Sequence, residues 1–281
     1  MVKKTKFIAE IGWNFLGDML IAKRMIHEAA NAGARIIKFQ YWDPKTLKPG
    51  PWDTDGRKEI YLKAALNRSK LGTLSKEVKE VGAMFMTSVF SPDLVKDVRD
   101  FSDIIKIPGI EIANKPLLQE VASFNWDKIF LSTGTATTEE IFSAVSILSQ
   151  CTKTLIIMHC VSTYPCPANE TNMKRIDSIK DKLHNPQKYE YGYSGHYDGI
   201  ADAIEAMSKY EVEWIEKHFT INKEFPGRDN KFALLPKDLK FLTTMADELY
   251  MIKSQPVSNT YMPSETETRN LYRGRWCNGS D

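Results

Sequence analysis

Along the chain, short apolar runs rich in Ile, Val and Phe alternate with longer runs whose apolar residues recur at helical spacing. Phe7–Ile11 has the β-branched and aromatic content of a strand, and Met19–Ala32 follows as an amphipathic helix closed by Gly33. Arg35–Gln40 is the second strand. Residues 41–57 are then rich in Pro, Gly and Trp, and a loop of that length in a compact domain is often functional. The alternation resumes with the end of a helix at Ser75–Val81, a strand at Met84–Thr87, a helix at Pro92–Asp100 and a strand at Ile104–Ile107. Lys115–Ser123 is helical, Lys128–Ser132 a strand, and Thr138 caps a helix over Glu139–Gln150. Thr154–His159 is the sixth strand, and a loop around Pro165 and Pro167 leads to a helix near Met173–Leu183. Tyr189–Ser194 and Val212–Glu216 are the last two strands, with helices over Ile200–Tyr210 and Pro236–Lys253.

Eight strand–helix units predict an α/β fold, a TIM (β/α)8 barrel, over residues 1–254. A doubly wound open sheet is the alternative, but no GxGxxG follows the first strand. Residues 255–281 are polar and Pro-punctuated, too short for a domain, and read as a strap or arm. A composition of 42% hydrophobic and 26% charged residues is that of a globular protein. The net charge of +2 makes no electrostatic case for nucleic acid or a membrane surface as partner. No apolar run reaches the length of a membrane span, and no signal-type run precedes Glu10. The four cysteines, Cys151, Cys160, Cys166 and Cys277, show no CxxC spacing and read as free thiols in a reducing, cytoplasmic setting.

In such a barrel the site lies at the C-terminal ends of the strands. Those positions hold Glu10, Lys38, Gln40, Thr87, Ser88, Lys106, Glu111, Ser132, Thr133, His159, Ser162, Tyr164, Ser194, His196 and His218, with Asp229 in a Pro-Gly turn. His196 and His218 each follow one of the last two strands, so both imidazoles reach one rim, an arrangement suited to a divalent metal, with two unrelated surface or core histidines as the alternative. Lys38 and Lys106 are expected to face an anion, phosphate or carboxylate, because a buried lysine without a partner is costly. A salt bridge to a neighbouring strand's acid is the alternative for each, and a structural carboxylate satisfied by backbone amides is the alternative for Glu10.

These residues sit in stretches that carry a family resemblance. FIAEIGWNFLGDMLIAKRMIHEAANAGARIIKFQ resembles the opening of the sialic acid synthases, the phosphoenolpyruvate-dependent N-acetylneuraminate synthase family. The similarity continues through FMTSVFS (Phe85–Ser91), IKIPGIE (Ile105–Glu111), LSTG (Leu131–Gly134), HCVSTYPCP (His159–Pro167), GYSGH (Gly192–His196), IEKHFT (Ile215–Thr220) and PGRD (Pro226–Asp229). It implies that C3 of phosphoenolpyruvate attacks the aldehyde of a hexosamine or related aldose, usually N-acetylmannosamine, giving a nonulosonic 2-keto acid and phosphate. It implies a divalent metal on His196 and His218, manganese by family habit with magnesium as the alternative. Lys38, Lys106, Ser132 and Ser194, with Thr87 or Ser88, would hold phosphoenolpyruvate. Glu10, Gln40, Tyr164 and Asp229 would hold the sugar, and Glu111 would orient or deprotonate the attacking water.

The chain also departs from the pattern. A histidine usual in the first loop is Phe15, which would remove a polar contact near the sugar. A serine usual before Glu111 is Gly109, Ser162 stands for a common asparagine, and Gly195 for a common aspartate. The resemblance further implies a small antifreeze-like domain after the connector Ser264–Trp276, supplying an arginine to the sugar and helping to build a homodimer. That domain is missing from this chain, which stops at Asp281, so the expectation is that Arg269, Arg273 or Arg275 takes the arginine's part or that the sugar lacks an N-acetyl group. Two other readings compete: a metal-dependent barrel aldolase or isomerase that needs no phosphoenolpyruvate, and a non-catalytic barrel that binds sugar or anion.

Overall fold

The computed structural model describes residues 3–185 and 187–276, so Cys277 falls outside the described residues. Eight parallel strands close into a barrel in chain order, with the last pairing to the first. They are β1 Lys6–Gly12, β2 Ile36–Tyr41, β3 Met84–Val89, β4 Ile104–Ile107, β5 Trp126–Ser132, β6 Thr152–Cys160, β7 Tyr189–Gly195 and β8 Trp214–His218. The helices are α1 Met19–Asn31, α2 Arg57–Ala64, α3 Arg68–Glu80, α4 Val95–Phe101, α5 Lys115–Ala122, α6 Thr138–Leu148, α7 Arg175–Lys182, α8 Ala201–Ser208, α9 Pro236–Lys253 and α10 Thr266–Tyr272. All except α2 and α10 belong to the outer ring. The TIM barrel expected from the alternation is therefore present.

Side-chain alternation divides each strand between two cores. One set packs outward under the helices as a continuous apolar layer that includes Ile11, Phe39, Phe85, Ile107, Leu131 and Ile215. The other set fills the barrel with Ile8, Ile36, Met86, Ile104, Phe130, Ile156, Met158 and Trp214. Phe130 and Trp214 meet edge to face at 5.1 Å in the middle of this plug. The inward positions are all even-numbered, so the next inward residues above the plug are Lys38, Ser88, Lys106, Ser132, Ser194 and Glu216. The site's floor thus rests on a rigid hydrophobic plug.

The boundaries differ in instructive ways from the sequence expectation. β8 starts two residues later than expected and runs through His218, so this histidine lies on the strand and not after it. β6 likewise extends to Cys160. The long loop after β2 carries two 3-10 turns, Pro44–Thr46 and Pro51–Asp53, before α2, which the apolar pattern does not reveal. Only Tyr61 and Ala64 of α2 are buried, too few to make a stripe. No helix among the described residues is long and apolar enough to cross a membrane. Residues 255–276 are exposed throughout, and the short helix α10 lies among them.

Candidate active site

Strand register sets the height of each functional side chain. Glu10 is level with Lys38 on one side and His218 on the other. Ser88 is level with Gln40 and Lys106, and Ser194 with Cys160 and Glu216. Directly above the plug these residues line a cavity of about 570 Å³, within the ~300–1,000 Å³ range of small-molecule sites. Glu10, Lys38, Gln40, Ser88, Lys106, Glu111, Ser132, Ser162, Tyr164, Ser194, His196, His218 and Asp229 all line it. Thr87 does not. Its position is odd, its side chain is fully buried, and its hydroxyl donates to the backbone carbonyls of Phe39 and Ser88. Of the Thr87/Ser88 pair only Ser88 is available to a ligand. His159 and Thr133 face away for the same reason of parity. His159 Nε2 meets Thr171 O at 2.9 Å, and Thr133 Oγ1 donates to Met158 O at 3.1 Å.

The floor is a network of four charges. Lys38 Nζ lies 2.5 Å from Glu10 Oε2, in charge contact and not in an aligned hydrogen bond. It also donates to Ser88 Oγ at 3.0 Å and lies 3.7 Å from Glu216 Oε1. Lys106 Nζ lies 3.0 Å from Glu216 Oε2, and Ser194 Oγ donates to Glu216 Oε1 at 3.1 Å. The lysines therefore face carboxylates, the alternative weighed above, and not an open anion hole. Burial pulls the Lys38 ammonium down, but Glu10 and Glu216 outweigh it and hold its pKa above the ordinary value. For Lys106 burial wins over Glu216, and its pKa falls. Burial opposes ionisation of Glu216 too, yet Lys106 and Lys38 hold it below the usual carboxylate range. Two cations and two carboxylates leave this floor with no net charge to offer an anion.

Glu216 is the principal residue that the sequence reading passed over. It stands two places before His218, so strand alternation alone puts both on the inner face. Its surroundings of Ile, Lys and His hid that a carboxylate sat between two buried lysines.

His196 and His218 approach to 5.6 Å between ring centroids. His196 Nδ1 lies 2.7 Å from the Val161 carbonyl, which can only accept, so Nδ1 carries the proton and Nε2 keeps its lone pair. Burial, then the neighbouring His218, push its pKa down to about 3, so the ring is neutral. His218 Nδ1 is buried with no hydrogen-bond partner. A neutral His196 with a free Nε2, beside a His218 Nδ1 that has no hydrogen-bond partner, fits a metal's needs. Among the described residues no group of three or more His, Cys, Asp or Glu is arranged to hold a metal. The Tyr164 ring stacks 4.0 Å from His196, and burial raises its phenol well above the ordinary value, keeping it a donor.

β1 ends in a bulge where the register shifts between Glu10 and Gly12. Gly12 has φ +53°, and a Cβ there would lie 3.0 Å from Glu10 Oε1 and 3.2 Å from Gln40 Nε2. Glycine leaves room for the 2.7 Å hydrogen bond that Gln40 Nε2 donates to Glu10 Oε1. The following turn is pinned by buried Asn14, which donates to Phe219 O at 2.9 Å. Phe15 packs on Phe39 at 5.9 Å in the outer core, so its position cannot contact a sugar here, and no polar contact is lost there. At position 109 a Cβ would lie 2.7–2.9 Å from the backbone of Gly134, so the rim has no room for a serine. Glu111 closes the same 3-10 turn, and its Oε2 accepts from Asn114 Nδ2 at 2.6 Å.

The mouth is aromatic. Trp13, Trp42 and Tyr61 contact one another at 4.3–5.8 Å, and Phe90 lies 6.2 Å from Trp42. Arg57 and Arg228 also line the cavity. Arg269, Arg273 and Arg275 do not line it. Arg269 lies over Tyr261 and Arg275 over Tyr272 and Trp276, all within the tail, so the expectation that one of them serves the sugar is not met.

An N,N'-diacetyllegionaminic acid synthase of Campylobacter jejuni is 32% identical over 96% of this chain and 83% of its own length. An N-acetylneuraminate-9-phosphate synthase of Drosophila melanogaster is 29% identical, over 87% of the chain and 68% of that protein. The crystal structure of N-acetylneuraminic acid synthetase from Leptospira borgpetersenii in complex with citrate superposes with a TM-score of 0.79 at 30% identity, covering 96% of this chain and 93% of the other. The NeuB family profile matches residues 25–256, which span β2 to β8 and every inner-face lysine and histidine described above, and the chain belongs to the NeuB family.

Proposed function

We infer that this chain catalyses the phosphoenolpyruvate-dependent condensation of an amino-sugar aldehyde, giving a nonulosonic, sialic-acid-like 2-keto acid and phosphate. C3 of phosphoenolpyruvate bonds to the aldehyde carbon and water adds at C2. The C2–O bond then breaks, and phosphate leaves with the bridging oxygen. The observation that carries this reading is one cavity holding two buried lysines, two imidazoles and Asp229 on a single barrel rim.

Charge balance argues for a metal. Phosphoenolpyruvate is a polyanion, and the lysine–glutamate floor is already neutral. A divalent cation on His196 and His218, manganese or else magnesium, would restore positive charge beside it. When bound, it would supply Lewis-acid polarisation of the aldehyde. Lys106, whose hold on Glu216 is offset by desolvation, is the lysine that an incoming phosphate or carboxylate can recruit. Ser88, Ser132, Ser162 and Ser194 present hydroxyls around the same floor. Asp229 is 1% exposed and held ionised, despite burial, by His218 and Arg228, which suits it to fix a sugar hydroxyl. Glu10, Gln40 and Tyr164 can take the remaining hydroxyls. Glu111 Oε2 is held by Asn114 at the rim, leaving Oε1 to orient or deprotonate water. Dependence on phosphoenolpyruvate fits work in the cytoplasm.

The test uses chelated protein, phosphoenolpyruvate and a panel of hexosamines, with and without manganese. Phosphate and 2-keto acid should appear in equal amounts, only with sugar and metal together. Sugar turnover without phosphoenolpyruvate would point to an aldolase. Ligand binding with no product from any sugar would leave a non-catalytic barrel.

A further inference from the structure

We propose that Lys217 is a positioning residue for the imidazole pair. From behind the barrel wall, its ammonium ties the chain just after His196 to the chain just before His218, and so fixes the spacing of the two rings. The proposal rests on the metal reading above. Lys217 does not line the cavity and is 3% exposed. Its position is odd, so it points outward into the apolar layer that includes Tyr193, Ala203, Ala206 and Ile215. There its Nζ donates to the carbonyl of Tyr197 at 2.7 Å and to Asp202 Oδ2, on the first turn of α8, at 2.8 Å. Tyr193 OH donates to the same carboxylate oxygen at 3.0 Å. Strand register pairs Lys217 with Gly195. A Cβ at Gly195 would lie 2.4 Å from Asp202 Oδ2 and 2.5 Å from the Tyr193 ring, so glycine there lets both groups pass over the strand end.

Stability alone is a poor reason for an ion pair in this layer. Replacing both partners of a buried pair by apolar groups of similar volume is often neutral, and Ile215 already packs there two places earlier. What an aliphatic side chain cannot do is donate to Tyr197 O. That carbonyl follows His196 and the ammonium precedes His218, so one hydrogen bond spans the two segments that carry the rings. The other holds on these histidines come from different sides. His196 Nδ1 meets Val161 O, and the His196 carbonyl accepts from Cys166 N at 3.0 Å, both after β6. His218 Nδ1 has no partner, so no contact at that nitrogen orients its ring, and its place follows the backbone that carries it. A further ion pair between the two loops, Lys223 to Asp198, is exposed, and such pairs contribute little. The buried ammonium is therefore the link that sets one ring against the other.

The experiment measures manganese binding by calorimetry, beside chemical denaturation, on wild type, Lys217→Met and the double variant Lys217→Met, Asp202→Asn. Methionine keeps most of the stem's volume and loses the ammonium. Asparagine removes the carboxylate charge left unpaired and keeps an acceptor for Tyr193. Lys217→Met should unfold at lower denaturant, and the double variant should return most of the way to the wild-type midpoint. Manganese affinity should stay roughly 10–100-fold below wild type in both. A merely structural ion pair would not split affinity from stability in this way. If the single variant does not fold, the double variant decides alone. Affinity that recovers together with stability overturns the proposal, as does wild-type affinity in either variant. A wild type that takes up no manganese would sink the metal reading along with it, whereas wild-type binding that the variants share would sink the proposal alone.

Discussion

At the scale of single residues, the site is governed by what balances each buried charge. Glu216 is the shared partner of Lys106 and Lys38, so Glu216→Gln leaves two ammonium groups with one carboxylate. Removing one partner of a buried pair costs ~3–5 kcal/mol, and chemical denaturation should show a loss of that size. Added phosphoenolpyruvate should recover part of it, because the substrate then supplies the missing negative charge. A variant as stable as wild type would mean that the floor's charges are not coupled. The histidine pair gives a second expectation. His218→Ala should weaken manganese binding, measured by calorimetry on the stable protein, by more than the ~10–100-fold that an outer-shell change costs. Unchanged metal affinity would remove His218 from the site. Lys38, Lys106, His196 and His218 were legible in the sequence because strand ends in this fold converge. Their partners were not legible: nothing local marks Glu216 as facing Lys106 across the barrel, and Thr87 differs from Ser88 only in parity.

At the scale of elements, strands were more legible than the loops that shape the mouth. Most strands carry an apolar run buried on both faces, a strong and local signal. α2 buries only two side chains, and its neighbours are 3-10 turns, so the segment that carries Trp42, Trp52 and Tyr61 reads merely as a loop rich in Trp and Pro. Gly109 shows how composition misleads at a rim. Set against the resemblance it looks like a lost hydroxyl; in the structure it is the contact point between two loops. Gly109→Ser should cost ~1–3 kcal/mol as an overpacked site, read as a fall in thermal midpoint. An unchanged midpoint with improved affinity for phosphoenolpyruvate would show that the loops yield and that the hydroxyl is useful.

At the scale of the whole molecule, a hydrophobic plug carries a neutral charge network, and an aromatic mouth closes over both. The plug fixes the height of the floor, so damage to it should reach the chemistry indirectly. Phe130→Ala removes the ring packed edge-on against Trp214 and should cost ~3–5 kcal/mol, measured by denaturation. Its kcat should fall less than that of a Lys106 variant, since the charged residues stay in place. The central claim is that this floor joins phosphoenolpyruvate to a sugar with cleavage of the C–O bond and help from a metal on two imidazoles. Phosphoenolpyruvate labelled with ¹⁸O at the bridging oxygen tests it most directly. The account predicts that, with sugar and manganese present, the label leaves in the released phosphate and that chelation stops the release. Label retained in the keto acid, or release indifferent to sugar and chelator, would contradict it.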